Sequence, residues 1–359
     1  MKFKLRENCK YGVASPTSMG VRITPPNGAP VHTSNMYFMQ ATSAESNVIT
    51  ISASLGIKGV VLTNFVKDSP ISYFIKSDLR RRNIDYLGPD VPQGGPWGYR
   101  HQFNIADSGF GTRGPRVHND RAGEVGRILN VKDFDLEKLF GEDGVQILHV
   151  SGLIGAISPE TTRFCIDAIR AAKKYGTCVS FDLNHRASFW KGREKELRDG
   201  FTEMTGMTDI LIGNEEDYQL CLGIDGPQEG GRDLSTQIDD FREMVARIKK
   251  AFPKTSVFGN TLRQVVSANE HLWGAATLFD DIWTVIEPRP IQILDRIGGG
   301  DSFSGGLLYG ILTGMGPEKA TQFGWATGAL TTTVLEDYAV PVDEDMVWSI
   351  YKGNARVKR

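Results

Sequence analysis

The run Val145-Gln-Ile-Leu-His-Val-Ser151 is followed by a helical pattern over Pro159 to Tyr175 and then by a second apolar run, Cys178 to Leu183. In the helical stretch Phe164, Ala168 and Ala172 recur at i, i+4 and i+8, which places them on one face. The alternation continues. Lys195 to Met204 reads as a helix, Asp209 to Gly213 as a strand, Glu215 to Leu222 and Phe241 to Phe252 as helices, and Thr255 to Asn260 as a strand. Short strands separated by helical segments predict an α/β fold with a central, mostly parallel sheet and crossover helices on both faces. Such sheets bind ligands beyond the carboxyl ends of their strands.

Two stretches nearer the amino terminus break this rhythm. Residues 16–42 hold Pro, Gly and Thr with short β-type runs at Gly20 to Thr24 and Met36 to Met39. Residues 92–123 hold a Gly/Pro-rich turn, a strand-like Tyr99 to Ile105, a Gly-rich turn and Arg116 to His118. Both read as antiparallel hairpins, too small to stand alone. They are expected either to form a small β lid or to remain ordinary surface hairpins. A lid sheet has edges and an apolar face to cover, which predicts a homodimer through the lid. Gly226 to Leu234 reads as a polar, Gly-rich surface loop.

Composition narrows the function classes. With 359 residues, 40% apolar and 23% charged, the chain can bury a substantial core. A formal net charge of -2 gives no basic field for nucleic acid. No apolar run is long enough to span a membrane, and Met1 to Lys10 lacks an apolar signal core. The four cysteines are scattered without a CxxC, and the six histidines are equally dispersed. Neither a disulfide framework nor a zinc site is suggested, and a reducing cytoplasm is the expected compartment.

Gly109, Gly111 and Gly114 form a literal GxGxxG, but Pro115 and an extended run follow where a dinucleotide site needs a helix. A glycine-rich hairpin turn is the expected structure there. No GxxxxGK[ST] occurs.

The segment Asp295-Arg-Ile-Gly-Gly-Gly-Asp-Ser-Phe-Ser-Gly-Gly-Leu-Leu308 carries the chemistry. Three glycines, Gly298, Gly299 and Gly300, end an extended stretch and open an apolar helix. Without β-carbons the backbone can approach an anion closely. The first helical amides and the helix dipole then form an anion cradle. Asp301 falls in the first turn beside it. A carboxylate there takes a proton from an attacking hydroxyl while the amides hold phosphoryl charge. The competing reading is a capping aspartate after a glycine loop.

This segment resembles the carboxyl-terminal signature of the PfkB/ribokinase sugar kinases, and within them the 2-keto-3-deoxygluconate kinases. Further blocks match in order: Asn47 in Ala-Glu-Ser-Asn-Val, Asp120-Arg-Ala-Gly123, Phe181-Asp-Leu-Asn-His-Arg186, Asn214-Glu-Glu-Asp217, Thr261-Leu-Arg263 and the tail Lys352 to Arg359. The resemblance implies one ribokinase-like three-layer α/β domain over residues 1–359. It also implies ATP with Mg2+ and a phosphoryl acceptor of the sugar-acid class. Arg121 and Arg186 then face the acceptor, and two parallel hydrogen bonds from a guanidinium suit a carboxylate. Asn47 would bond an acceptor hydroxyl. Asn214 and Asp217, one helical turn apart, would meet phosphates or magnesium-bound waters, or simply cap their helix. Thr261 and Arg263, read as following a strand end, would meet nucleotide phosphates. Asp182 is structural or functional on this reading.

The acceptor wall departs from the family pattern. Thr42 and Ser43 stand where relatives have Gly-Gly, Thr17-Ser18 where Gly-Glu is frequent, Asn119 where a tyrosine often lies, and Thr331-Thr332 follow Leu330 near the nucleotide. Three readings follow: a kinase for 2-keto-3-deoxygluconate or a close relative, a kinase for another keto-sugar or nucleoside, and a non-catalytic sugar-binding homologue.

Overall fold

The strand–helix alternation expected over residues 145–260 is present and begins earlier in the chain. The computed structural model describes residues 3–226 and 234–355. Most of the predicted 226–234 loop, and the last four residues of the tail, lie outside the described residues. The first half holds β1 (Tyr11–Pro16), β2 (Gly20–Thr24), β3 (Phe38–Thr42), α1 (Ala44–Ser54), β4 (Gly59–Leu62), β5 (Phe65–Val66), α2 (Pro70–Arg81), β6 (Ile84–Leu87) and β7 (Asp90–Val91). Then come β8 (Gln102–Ala106), β9 (Val117–Asp120), β10 (Val145–Ser151), α3 (Gly152–Ala156), α4 (Pro159–Lys174) and β11 (Cys178–Asp182). The second half holds α5 (Ala187–Trp190), α6 (Glu194–Thr205), β12 (Ile210–Ile212), α7 (Glu215–Leu222), α8 (Leu234–Ala251), β13 (Val257–Ser267), β14 (Glu270–Phe279) and β15 (Ile282–Gln292). Helices α9 (Gly299–Leu312), α10 (Pro317–Thr331) and α11 (Glu344–Tyr351) complete it.

Local chemistry starts these helices where the sequence says they should start. Ser158 and Thr161 form a reciprocal capping box at α4, with Pro159 at the first helical position. Ser43 caps α1 by accepting from Ser46 N at 3.1 Å.

The main sheet runs in the order β15-β14-β13-β12-β11-β10-β1-β4-β6. Its pairs from β13 to β6 are parallel, and β14 and β15 join antiparallel at one edge. The strands bury both faces, as β12 illustrates. Leu211 packs into a core with Phe164 of α4, Phe201 of α6 and Phe241 of α8. Its neighbours Ile210 and Ile212 pack with Phe303 and Leu307 of α9 and Phe323 of α10. Three layers result, helix–sheet–helix, as period-two alternation between two apolar faces requires.

The two irregular stretches form one four-stranded sheet, ordered β3-β2-β8-β9. The β2–β3 and β8–β9 pairs are antiparallel, but β2 and β8 pair in parallel. The two antiparallel hairpins expected from the sequence are present, and the parallel β2–β8 pair, which the sequence did not announce, joins them into one sheet. Edge strands of each hairpin satisfy one another's backbone groups across a long sequence gap. Gly109 and Gly111, at φ 72° and 57°, sit in the turn between β8 and β9, and Phe110 and Arg113 exchange backbone hydrogen bonds across it. The GxGxxG is a hairpin turn.

One correction concerns β13. It does not end at Asn260 but continues to Ser267, because β14 pairs with it along its length, Thr261 opposite Ala275 and Arg263 opposite Trp273. Thr261 and Arg263 are therefore mid-strand residues on the face shared with Gly259.

Candidate active site

The strand order reverses between β1 and β10, and the carboxyl ends of the parallel strands open onto two adjoining cavities of about 380 and 350 Å³. Asp301, Arg186 and Ile297 line both. The small sheet walls the second cavity through Arg22, Gln102, Asn104 and Asn119.

Asp301 sits at the third position of α9, where Gly298 is the preceding cap residue in left-handed conformation, φ 82°. A β-carbon at 298 would collide with the carbonyl oxygen of Asp337. Glycine is needed there twice over, for the φ and for the close approach. The first helical backbone bond runs from Ser302 N to Gly298 O at 2.9 Å. The amides of Gly299, Gly300 and Asp301 are thus the ones a helix leaves for outside partners. Gly298 and Gly300 border the first cavity, while Gly299 is buried beneath. Asp301 Oδ2 accepts from Asn47 Nδ2 at 2.9 Å. Burial pushes its carboxyl up to about 7, against the Asn47 hydrogen bond and the Arg186 charge, which act downward. A carboxylate so poised can release or take a proton near neutrality.

The second cavity gathers Thr42, Ser43, Asn47, Arg121 and Arg186 from widely separated positions. Their freedom differs. Thr42 Oγ1 donates to Asp337 Oδ2 at 2.8 Å, and Ser43 is committed to capping α1. Arg121 Nη1 donates to Glu124 Oε1 at 2.6 Å, and its guanidinium lies 5.1 Å from the Phe189 ring centre. Among the described residues Arg186 Nη1 donates to its neighbour's carbonyl, His185 O, and the side chain borders both cavities. The residues that depart from the family pattern are internally bonded. Thr17 donates to Glu45 at 2.6 Å and Ser18 to Glu124 at 2.5 Å.

The first cavity is lined by Asn214, Asp217, Thr261, Arg263 and Asp182 along with the cradle. Asn214 and Asp217 form a reciprocal capping box at α7 (2.8 and 2.9 Å), and Asp217 Oδ1 also accepts from His185 N at 2.9 Å. Both residues border the cavity, and both cap. Asp182 accepts from Ser304 Oγ at 3.1 Å, which ties β11 to α9 one turn past Asp301. Burial, then the charges of Asp217 and Asp301, push its carboxyl up to about 8.

Three features escaped sequence reasoning. Arg22 on β2 is only 1% exposed and is paired with both Asp295 and Asp337. Glu124 holds Arg121. Gln102 and Asn104 wall the second cavity. A charged residue in the otherwise apolar Gly20-to-Thr24 run was the available signal for Arg22, since a strand buries such a charge only with partners. No signal marked its partners, which lie 273 and 315 residues away.

Among the described residues no helix is long and apolar enough to cross a membrane. Over 345 residues the chain is 26% identical to the 2-dehydro-3-deoxygalactonokinase of Haloferax volcanii, covering 94% of this chain and 96% of that protein. It is 25% identical to the 5-dehydro-2-deoxygluconokinase of Clostridium perfringens over 205 residues, which is 56% of this chain and 53% of that one. The crystal structure of a 2-dehydro-3-deoxygluconokinase from Thermotoga maritima superposes with a TM-score of 0.85 at 25% identity, covering 96% and 98% of the two chains. A ribokinase II from E. coli, solved with ATP and Mg2+, shares the fold at TM-score 0.76 and 17% identity, covering 96% of this chain and all of that one. The pattern of the pfkB family carbohydrate kinases matches residues 129–343, and with the three-layer ribokinase-like fold this establishes that the chain belongs to that family of carbohydrate kinases.

Proposed function

We propose that this carbohydrate kinase transfers the γ-phosphoryl group of ATP to a hydroxyl of a sugar acid, 2-keto-3-deoxygluconate or its galacto epimer. The observation that carries the reading is the place of Asp301. It stands at the junction of two cavities, in the helix start that Gly298, Gly299 and Gly300 open, and is held by Asn47. Names borne by relatives, 2-dehydro-3-deoxygalactonokinase and 2-dehydro-3-deoxygluconokinase, support the acceptor class.

In this mechanism the acceptor occupies the cavity under the small sheet, which serves as a lid. Arg186 and Arg121 orient its carboxylate and oxygens. Asp301 takes the proton of the attacking hydroxyl. The hydroxyl oxygen bonds to the γ-phosphorus as the bond to the ADP bridging oxygen breaks. The cradle amides hold the charge that spreads over the transferring group. Thr261, Arg263 and Asn214 line the cavity assigned to the nucleotide.

Magnesium fits the donor set. Asp182, Asp217 and Glu215 border the nucleotide cavity. Among the described residues no cluster of three or more such side chains is arranged to hold a metal alone. Mg2+ characteristically binds through one or two carboxylates, substrate phosphates and retained waters. Bound there, it would neutralise phosphate charge.

A second acceptor reading is favoured by one contact. Glu124 already occupies Arg121, which lowers the positive charge offered to a carboxylate. A neutral keto-sugar would suit that balance. An ATP-consumption assay against sugar acids, neutral ketoses and nucleosides separates the readings, and no turnover with any of them would sink the kinase assignment.

We further infer a homodimer through the lid. Met36, Tyr37, Phe38, Met39 and Val117 are exposed large apolar side chains at one end of the small sheet, and a sheet edge with such residues calls for a cover. Sedimentation at micromolar concentration tests this, and a monomer would refute it. The unpaired cysteines, with Cys165, Cys178 and Cys221 buried, support a reducing cytoplasm as the compartment.

A further inference from the structure

Strand β8 presents Gln102, Asn104 and Ala106 to the acceptor cavity, as residues two apart on one face of a strand must do. Gln102 is 1% exposed, yet among the described residues its Oε1 has no hydrogen-bond partner. The Oδ1 of Asn104 is likewise buried and unpartnered. Leaving a buried carbonyl oxygen unbonded is costly, so two such atoms on one cavity wall mark places where a donor is missing.

The position of Gln102 is set by its neighbour. Gly20 pairs with it across the parallel β2–β8 ladder, and a β-carbon at 20 would collide with the Gln102 carboxamide. Gly20 has no positive φ, so its backbone conformation is open to any residue. Its missing side chain is what leaves room for the carboxamide.

We propose that Gln102 and Asn104 are specificity residues whose amide oxygens accept hydrogen bonds from hydroxyl groups of the acceptor chain, and that they select between epimers differing at one hydroxyl. An amide oxygen accepts from O–H and gives nothing to a carboxylate. The hydroxyl-bearing end of the acceptor therefore lies along β8, and its carboxylate lies toward Arg121 and Arg186. This rests on the sugar-acid reading above and adds an orientation to it.

The test measures kcat/KM of the wild type, Gln102→Met, Asn104→Ala and Gly20→Ala with 2-keto-3-deoxygluconate and its galacto epimer. Met keeps the volume of Gln without the acceptor. Losing one such bond lowers kcat/KM for the preferred epimer by about tenfold, and the other epimer much less, so the selectivity ratio falls. Gly20→Ala reproduces Gln102→Met by displacing the carboxamide. KM for ATP and melting temperature stay near wild type. Active, folded variants with an unchanged ratio, or an equal loss for both epimers, would overturn the assignment. A wild type that phosphorylates neither epimer would instead remove the sugar-acid reading itself, and this inference with it. Should Gln102→Met fail to fold, Gly20→Ala and Asn104→Ala decide the matter by the same ratio.

Discussion

The side-chain amide of Asn47 on α1 donates to Asp301 Oδ2 on α9 at 2.9 Å. Gly305, one turn beyond Asp301, makes this contact attainable, since a β-carbon there would lie 2.5 Å from the carbonyl oxygen of Val48. Helix α9 lies against α1 through a residue with no side chain, and the neighbouring turn delivers the amide to the carboxylate. The base proposed here is thus oriented by helix packing as well as by its own cap position.

Asp301→Asn keeps the size and helix-capping ability of the side chain but cannot take a proton. We expect kcat to fall by roughly 100- to 10,000-fold, with ATP affinity almost unchanged and no loss of melting temperature. Near-wild-type turnover would reduce Asp301 to a cap.

The pH profile follows from its environment. A base works ionised, and burial pushes Asp301 up to about 7. Turnover should be low below pH 6, climb through about 7 and level off above it. Asn47→Ala removes a bond to the ionised form, so the climb should move to higher pH. Stability runs the other way. Between its unfolded value of 3.8 and about 7, folded Asp301 keeps a proton that the unfolded chain has released. Its stabilising contribution is full below about pH 4 and is lost as pH rises through about 7. Melting curves of Asp301→Asn should be flatter than wild type over that window, and an unchanged slope would contradict the raised carboxyl.

The two acceptor arginines should separate. Arg121 borders only the acceptor cavity, so Arg121→Ala should raise acceptor KM with kcat and ATP affinity little changed. Arg186 borders both cavities, so Arg186→Ala should raise acceptor KM and lower kcat together. A charge-assisted bond is worth about 1.5–3 kcal/mol, roughly 10- to 150-fold in binding. If neither variant alters acceptor kinetics, the carboxylate reading loses its basis.

Arg22→Met should cost about 3–5 kcal/mol, the usual consequence of leaving buried charges without a partner. Asp295 and Asp337 would be stranded, and Asp337 also holds Thr42 and packs against Gly298. Denaturant unfolding measures the loss. The double replacement of Asp295 and Asp337 by Asn in the Arg22→Met background should recover part of it, and no recovery would show that the ion cluster is not the cause.

The amino-acid sequence by itself determined what rests on near neighbours. The buried runs at Val145–Ser151 and Cys178–Asp182 alternate with capped helices, and that period and punctuation dictate a parallel α/β sheet. Asp301 directly after three glycines marked the cradle, because the cap, the freed amides and the carboxylate are all contiguous. Tertiary structure alone decided what depends on distant partners. β13 runs on to Ser267 because β14 lies beside it, and β2 pairs with β8 in parallel although the two strands are far apart in the chain. The charge available in the acceptor cavity was equally hidden. Arg22 is neutralised by Asp295 and Asp337 and Arg121 by Glu124, and an arginine's partners are a property of the folded cavity, since Coulombic pairing acts through space and leaves no period in the chain.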